Sequence, residues 1–313
     1  MTFLELKLQR GDAEYAEDSE RGELRNKRLI QTILLSAILP TLISSATQTV
    51  MRGTAYVNGT SLYYETKGRG FPIVLISGGG ILDRRGWDQQ FETLSKHYRV
   101  IRYDVRGIGK SARPEGPFSH SEDLYALLTF LKVKRAHVMG LSVGAAIAID
   151  FAIEHPEVVD RLILAAPGLS SDAKSDANMQ SLTAIAGLVR TNGIEHVIQL
   201  TLDTPFVLSK HNTAGRERVK QIYLDNKDIF ESGFLLYVLW QPVNQPESKL
   251  ATIRATVLVI RGDNDSPAYV VMTDKIQKAI PQATRVVIPG GTHFLHLEKP
   301  TEFDAAVLSF LRP

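Results

Sequence analysis

The 313-residue sequence contains no cysteine, and neither acidic nor basic residues are in clear excess. Without cysteine the chain forms no disulfide, no thiolate zinc site and no cysteine nucleophile, although this absence does not fix the redox compartment. Lys and Arg total 36 against 34 Asp and Glu, a formal net charge of +2, and no basic stripe interleaved with aromatic residues is present. This pattern argues against nucleic acid as a partner. Any nucleophile must come from another residue type.

The chain also lacks an uninterrupted apolar run of the ~20 residues that a membrane-spanning helix needs. The apolar, uncharged stretch Leu29–Ile43 is shorter and is broken by Pro40. Basic residues precede it, and the small residues at 44–46 suit signal-peptidase cleavage. We therefore predict a signal-peptide-like segment at 25–46, a secreted or periplasmic location and no stable membrane insertion of the mature protein. The alternatives are a membrane anchor formed by the uncleaved segment and an amphipathic helix of the mature fold.

The first 26 residues do not fit a signal sequence, because they are rich in Asp and Glu whereas a signal n-region is short and positive. We expect translation to begin near Leu24, from an alternative start codon, which gives a basic n-region. N-terminal sequencing of the native protein tests this expectation, and peptides from residues 1–20 would contradict it.

Short apolar runs alternate with helix-length segments along most of the remaining chain. Strand-like runs at 55–57 and 62–66 flank Asn58-Gly59, a dipeptide that favours a tight hairpin because both residues tolerate positive φ. Six further runs follow, at 73–76, 100–103, 137–139, 162–165, 257–260 and 285–288. Near-continuous Val, Ile and Leu strands separated by helices indicate an α/β fold, with a mostly parallel eight-stranded sheet covered by helices on both faces.

The alternation of strand-like and helix-length segments stops between Gly168 and about Pro246, and it resumes at Thr256 as if the same sheet were being completed. Helical stretches are predicted within this interval at 180–189, 216–224 and 230–239. We therefore divide the chain into an N-terminal extension (1–50), a core (51–167 and 249–313) and a helical cap (168–248) inserted into that core. A second independent domain in place of the cap is the weaker alternative.

The segment Gly140-Leu141-Ser142-Val143-Gly144 is a G-x-S-x-G sequence that directly follows an apolar strand and directly precedes an alanine-rich helical run. In this context the glycines allow a sharp strand-to-helix turn that presents the Ser142 hydroxyl above the sheet edge. The helix N-terminus and the Val143 amide favour developing negative charge. Ser142 is therefore the candidate nucleophile.

A serine nucleophile needs a base to remove its proton, and the base needs a carboxylate to hold its tautomer. His293 follows a Gly-Gly-Thr loop after the last predicted strand and is the candidate base. His296 competes, but three residues further on it is more simply a packing or surface histidine. Asp263 and Asp265 both lie just past the run 257–260, and either can serve as the acid while the other forms a turn.

The run Ser77-Gly78-Gly79-Gly80 follows the predicted strand 73–76, and its glycines let the backbone approach a substrate closely. An oxyanion hole takes one of its amides from such a loop. We assign the Gly79 amide as a donor paired with the Val143 amide, and we place Gly78 in the substrate pocket. The alternative is a flexible glycine turn with no role.

From Thr54 to Pro313 the sequence resembles the α/β-hydrolase superfamily, specifically its capped bacterial esterase, lactonase and perhydrolase-like members. Besides the G-x-S-x-G turn, Tyr103–Ser111 is similar to the family's D-x-R-G-x-G-x-S turn, and His293–Pro300 resembles the segment after its catalytic histidine. In the family's acid loop the carboxylate comes three residues after a glycine. That register implies Asp265, which follows Gly262 by three residues.

Two positions depart from the family pattern. Ser77 stands where many members have histidine before the oxyanion-loop glycine, and Leu141 stands where histidine often precedes the nucleophile. Neither change removes a catalytic group, but both weaken the transfer of a substrate from any subfamily. Dehalogenase and epoxide-hydrolase relatives use aspartate as nucleophile, so Ser142 argues against those reactions.

The resemblance implies an α/β-hydrolase fold and a serine hydrolase that cleaves a carboxylic ester or lactone of a small molecule through an acyl-enzyme on Ser142. It implies no metal and no cofactor. The cap should form the pocket, and the candidate lining residues are Phe234, Tyr237 and Trp240, for which plain core packing is the alternative reading.

Two further functions are compatible with the same residues. The first is cofactor-free perhydrolysis, or C–C bond cleavage as a hydrolase or lyase. The second is a receptor-like protein that binds a small molecule in the hydrolase pocket, because a fold by itself does not establish an activity. The sequence yields no prediction of the oligomeric state.

Overall fold

The computed structural model describes residues 49–78, 80, 82–170, 176–231 and 247–312. The predicted signal segment, the expected translation start and most of the predicted helix at 230–239 lie outside these residues. So do four candidate site residues, namely Gly79, Phe234, Tyr237 and Trp240.

The described chain opens with the predicted hairpin. Strands β1 (Met51–Val57) and β2 (Thr60–Lys67) pair antiparallel, with Val57 opposite Thr60. The turn residues Asn58 and Gly59 have φ angles of 49° and 68°. Positive φ at both central positions is the geometry that matches the twist of the flanking strands, which explains the Asn-Gly pair.

The remaining strands extend the hairpin into one eight-stranded sheet in the order β1-β2-β4-β3-β5-β6-β7-β8. They are β3 (Pro72–Ile76), β4 (Arg99–Tyr103), β5 (Ala136–Leu141), β6 (Val159–Ala165), β7 (Thr256–Gly262) and β8 (Thr284–Ile288). From β4 to β8 all neighbouring pairs are parallel, whereas β2 pairs antiparallel with β4. Every residue of β5 is buried, as expected for a central strand with both faces covered. The predicted mostly parallel eight-stranded sheet is confirmed.

Helices occupy most of the connections between strands. The described α-helices are α1 (Asp88–Leu94), α2 (His120–Phe130), α3 (Val143–Glu154), α4 (Asp176–Asn192), α5 (Ile194–Asp203), α6 (Thr213–Asp225), α7 (Lys227–Glu231), α8 (Pro267–Ala279), α9 (Leu295–Glu298) and α10 (Pro300–Leu311), with 3₁₀ turns at Arg84–Trp87 and Glu247–Thr252. Among the described residues, no helix has the length and apolarity to cross a membrane.

Helices α4 to α7 are inserted between β6 and β7, where the sequence predicts a helical segment. Two of the predicted stretches fall within α4 and α6. Helix α5 was missed, although its buried residues Ile194, Val197, Ile198 and Leu202 follow helical spacing. The side-chain amide of Asn226 donates to Asp83 Oδ2 at 3.1 Å and thereby connects this segment to the loop after β3. Its role as a cap stays a prediction.

The D-x-R-G-x-G-x-S turn after β4 is a structural corner. The buried Asp104 carboxylate accepts hydrogen bonds from the Arg84 side chain at 2.8 Å and the Lys110 amide at 2.9 Å. Gly109 has a φ of 58°, and a Cβ there would lie 2.4 Å from Asp104 Oδ2. The turn therefore needs glycine at this position, and its buried charges satisfy one another.

The sheet order determines where a site can form. Strand β5 lies between β3 and β6, and the loops after β3, β5, β7 and β8 leave the same edge of the sheet. In open α/β sheets ligands bind in the crevice outside the carboxyl ends of the strands. All the candidate catalytic residues of the sequence lie on these loops.

Candidate active site

The turn between β5 and α3 holds Ser142 in an unusual backbone conformation, with φ 53° and ψ −114°. Positive φ is costly for a residue with a side chain and persists only where neighbours enforce it. The Ser142 amide donates to the Ala165 carbonyl at 2.9 Å, and the Ser142 carbonyl accepts from the amides of Ala145 at 3.0 Å and Gly168 at 3.2 Å. These bonds to the helix and to the strand neighbour fix the turn.

The two motif glycines serve a different purpose from the one expected of them. Neither Gly140 nor Gly144 has positive φ, which falls on Ser142 instead. A Cβ on Gly140 would lie 2.1 Å from the Gly144 carbonyl oxygen, and one on Gly144 would lie 2.3 Å from the Ile76 carbonyl oxygen. The glycines are required because the start of α3 packs directly against β3 and β5.

The loop after β8 brings His293 to the serine. His293 Nε2 lies 2.9 Å from Ser142 Oγ, and both residues are buried. The His293 amide donates to the Phe206 carbonyl at 2.7 Å, and the Phe294 amide donates to the Val207 carbonyl at 3.1 Å. The segment between α5 and α6 thus anchors the backbone that carries the histidine.

Of the two aspartates in the loop after β7, Asp265 is the one that contacts the histidine. Its oxygens lie 3.1 and 3.2 Å from His293 Nδ1, and its side chain is fully buried. A carboxylate at Nδ1 holds the proton there, which leaves Nε2 free to accept the serine proton. Asp263 is exposed and accepts the Gly290 amide at 2.6 Å, the bond expected of a turn former.

His296 lies in a separate environment. It is buried, its Nε2 is 3.1 Å from the Gly86 carbonyl oxygen, and its ring packs 4.6 Å from Trp87. Burial lowers the pKa of His296 to about 3, so the ring is neutral in the folded protein. The prediction of a packing histidine fits these contacts.

The candidate oxyanion site is described in part. Val143 is the first residue of α3, so its amide has no intrahelical acceptor and is free for a ligand. A Cβ on Gly78 would lie 1.9 Å from the Leu141 carbonyl oxygen and 3.1 Å from Ser142 Cβ, which places the Gly78 backbone directly against the nucleophile turn. Gly79 is outside the described residues, and its amide stays a predicted donor.

A tyrosine that the sequence did not single out also reaches the nucleophile. Tyr269 is on the first turn of α8, and its Oη lies 3.4 Å from Ser142 Oγ. Its ring is 4.0 Å from the His293 ring. Burial raises the pKa of Tyr269, and the Asp265 charge makes a smaller contribution in the same direction. The sequence feature that could have identified Tyr269 is its position, four residues after the acid Asp265 in the same loop-to-helix segment.

Among the described residues around Ser142, no group of side chains has the arrangement of a metal centre. Within the described part of the chain, one group of potential ligands lies together, formed by the side chains of Glu122, Glu154 and His155 on the surface. The hydrogen bond between His155 and Glu122, at 3.1 Å, accounts for their proximity.

The geometry agrees with the comparison to known families. The family model described as the alpha/beta hydrolase fold matches residues 72–300. The chain belongs to this family. The resemblance seen in the sequence motifs is confirmed.

Individual relatives of this α/β-hydrolase differ in the reactions their names describe. The chain is 28% identical over 268 residues to 2-hydroxy-6-oxo-6-(2'-aminophenyl)hexa-2,4-dienoic acid hydrolase of Metapseudomonas resinovorans, covering 81% of this chain and 88% of the relative. Among solved structures, the enol-lactonase from Burkholderia xenovorans LB400 superposes with a TM-score of 0.70 at 25% identity, covering 83% and 99% of the two chains. A hydrolase from Pseudomonas aeruginosa PA01 gives a TM-score of 0.71 at 27% identity, with coverage of 85% and 99%.

Proposed function

We propose that this protein is a serine hydrolase that cleaves a carboxylic ester or lactone of a small molecule through an acyl-enzyme on Ser142. The observation that carries the proposal is the continuous chain of hydrogen bonds from Ser142 Oγ to His293 Nε2 at 2.9 Å, and from His293 Nδ1 to Asp265 at 3.1 Å. A nucleophile, a base and a group that orients the base are the minimum set for this chemistry.

In the proposed reaction Ser142 Oγ attacks the carbonyl carbon while His293 Nε2 takes its proton. The buried Asp265 carboxylate stabilises the imidazolium that forms. The carbonyl oxygen gains negative charge, which the Val143 amide and the predicted Gly79 amide stabilise. His293 then protonates the leaving alcohol. Water attacks the acyl-enzyme in the same way, and the proton returned by His293 to Ser142 Oγ completes the cycle.

The nature of the scissile bond rests on the relatives. The similarity to an enol-lactonase at 25% identity supports a lactone or ester substrate. The dienoic acid named for the Metapseudomonas relative contains no ester linkage, and this keeps C–C bond hydrolysis as the second candidate. Perhydrolysis and receptor-like binding remain further alternatives.

We also propose that helices α4 to α7 form a cap that shapes the substrate pocket. The support is the pair of backbone hydrogen bonds that joins Phe206 and Val207 to the histidine loop. A segment tethered to the general base is well placed to limit which acyl or alcohol groups reach Ser142.

Labelling of the purified full-length protein with a fluorophosphonate probe tests the activity. We expect one adduct on Ser142 by peptide mass spectrometry, turnover of at least one p-nitrophenyl ester, and loss of both in Ser142→Ala. A folded wild-type protein that is neither labelled nor active on any ester would contradict the proposal and favour receptor-like binding. Labelling without ester turnover, combined with C–C bond cleavage of a 2-hydroxy-6-oxo-hexa-2,4-dienoic acid, would favour C–C bond hydrolysis.

A further inference from the structure

Ser142 Oγ has two side-chain partners among the described residues. His293 Nε2 lies at 2.9 Å and Tyr269 Oη at 3.4 Å. The Asp265 carboxylate at Nδ1 keeps the His293 proton on that nitrogen, so Nε2 is an acceptor and receives the serine proton. A serine hydroxyl has one hydrogen and two lone pairs, and therefore Ser142 Oγ accepts from the Tyr269 hydroxyl.

We propose that Tyr269 is a fourth catalytic group, whose O–H donates to Ser142 Oγ and stabilises the negative charge on this oxygen when it attacks and when it departs. The inference rests on the proposed hydrolase function and names an additional group for the same site.

Tyr269 is distinct from the predicted oxyanion hole. The oxyanion loop follows β3, and Tyr269 follows β7, so they approach Ser142 from opposite sides of β5 in the sheet. A Cβ on Gly168 would lie 4.0 Å from Tyr269 Cε1, which places the ring beside the loop after β6. The tyrosine thus faces the nucleophilic oxygen itself, on the side of the general base.

Two contacts hold the backbone and the ring of Tyr269 in place. The Tyr269 carbonyl accepts the Thr273 hydroxyl at 2.8 Å within α8, and the ring packs on His293 at 4.0 Å. Because burial raises its pKa, the phenol stays protonated at neutral pH and keeps its O–H available to donate. A donor fixed before the reaction needs no reorganisation when charge develops.

The step involves no net proton transfer from the tyrosine. During attack the Oγ–H bond breaks, the proton moves to His293 Nε2 and the Oγ–C bond forms, while the tyrosine O–H bond stays intact. During hydrolysis of the acyl-enzyme the Oγ–C bond breaks and Oγ takes the proton back from Nε2. Oγ carries partial negative charge in both transition states, so Tyr269 assists both steps.

Tyr269→Phe tests the proposal because it removes the hydroxyl and keeps the ring against His293. Loss of one neutral hydrogen bond lowers rates by about 2- to 10-fold. The matched control is Tyr63→Phe, which removes a hydroxyl that bonds Glu65 at 3.3 Å outside the site. The assays are the rate constant of fluorophosphonate labelling, and kcat and KM for esters that share one acyl group but differ in leaving alcohol. Tyr269→Leu, which also removes the ring, shows the effect of lost packing.

We expect Tyr269→Phe to lower the labelling rate constant, and to lower kcat/KM by the same factor for every ester. KM and the midpoint of the pH–rate profile that depends on His293 should be unchanged. Tyr63→Phe should behave like wild type. Unchanged rates in Tyr269→Phe, while wild-type Ser142 is labelled, would overturn the inference and leave the hydrolase function standing. So would a loss that grows with the pKa of the leaving alcohol, since the tyrosine would then serve the leaving group. A shifted pH midpoint would overturn it as well, because the tyrosine would act by positioning His293. An unlabelled wild type would instead remove the proposed function.

Discussion

Exchange of Asp265 for Asn should abolish most of the activity, although it only replaces one carboxylate oxygen of the site by an amide nitrogen. Asp265 Oδ1 accepts the Ser266 amide at 2.7 Å, and Oδ2 is 3.1 Å from His293 Nδ1. An Asn at this position keeps its oxygen on the Ser266 amide and therefore turns its NH₂ group toward Nδ1. Two donors cannot share that contact, so the histidine proton moves to Nε2.

A histidine protonated on Nε2 cannot accept the serine proton. In a serine protease the same exchange lowers turnover ~10⁴-fold, which corresponds to about 5 kcal/mol of lost transition-state stabilisation. We expect a loss of this order in kcat/KM on a p-nitrophenyl ester. The full burial of the Asp265 side chain supports it, because no water can replace the carboxylate at Nδ1.

Asp263→Asn is the matched control two residues away. Asp263 is exposed, and its one hydrogen bond within the described part of the chain is to the Gly290 amide, a bond that an Asn oxygen also accepts. Its kcat/KM should stay within about 2-fold of wild type, since a surface exchange of this kind changes little. Circular dichroism and thermal melting establish that both variants are folded. The reasoning is refuted if folded Asp265→Asn retains more than a tenth of the activity, or if Asp263→Asn loses as much.

Two further substitutions probe the packing around the site. Gly78→Ala places a Cβ 1.9 Å from the Leu141 carbonyl oxygen, which should displace the oxyanion loop and lower ester turnover by at least ~10². The control is Gly116→Ala, whose Cβ would meet nothing within 4 Å and should leave turnover unchanged. Equal activities of the two variants would contradict this role of Gly78. Burial lowers the pKa of His296 to about 3, so between its ordinary pKa of about 6.5 and pH 3 only the unfolded chain binds this proton. The free energy of unfolding therefore decreases as the pH falls through this window, by up to about 1.4 kcal/mol per pH unit. His296→Gln should reduce this dependence of stability on pH. Urea unfolding between pH 4 and 8 measures the slope, and an unchanged slope in His296→Gln would show that other groups cause it.

The sequence was sufficient for the sheet and for most of the site because the relevant signals are local. Buried parallel strands are near-continuous Val, Ile and Leu runs, and Asn58-Gly59 encodes its own hairpin geometry. Ser142 directly follows β5 and His293 lies on the loop after β8, so their location at one edge of the sheet follows from the strand pattern. Residue type and position after β7 do not separate Asp265 from Asp263; the family register points to Asp265, and the folded loop shows that its carboxylate is the one that contacts His293.

The features that the sequence does not predict depend on packing between distant segments. The contact of Tyr269 with Ser142 joins residues 127 positions apart, and it exists because β6 alone separates β5 from β7 in the sheet. The need for glycine at 140 and 144 likewise comes from backbone atoms of β3 and α3 that approach too closely for a Cβ. Neither fact leaves a trace in hydrophobic periodicity.

The separate origins of the three candidate groups have a mechanical consequence. Ser142 and Asp265 are held at the ends of β5 and β7, which the sheet fixes relative to one another. His293 is different, because its amide bonds to the Phe206 carbonyl of the inserted segment. We therefore expect a shift of that segment on substrate binding to move the base, while the nucleophile and the acid stay in place. Two backbone hydrogen bonds, from His293 to Phe206 and from Phe294 to Val207, therefore couple the proposed cap to the base. Changes of substrate preference in this segment should alter kcat as well as KM.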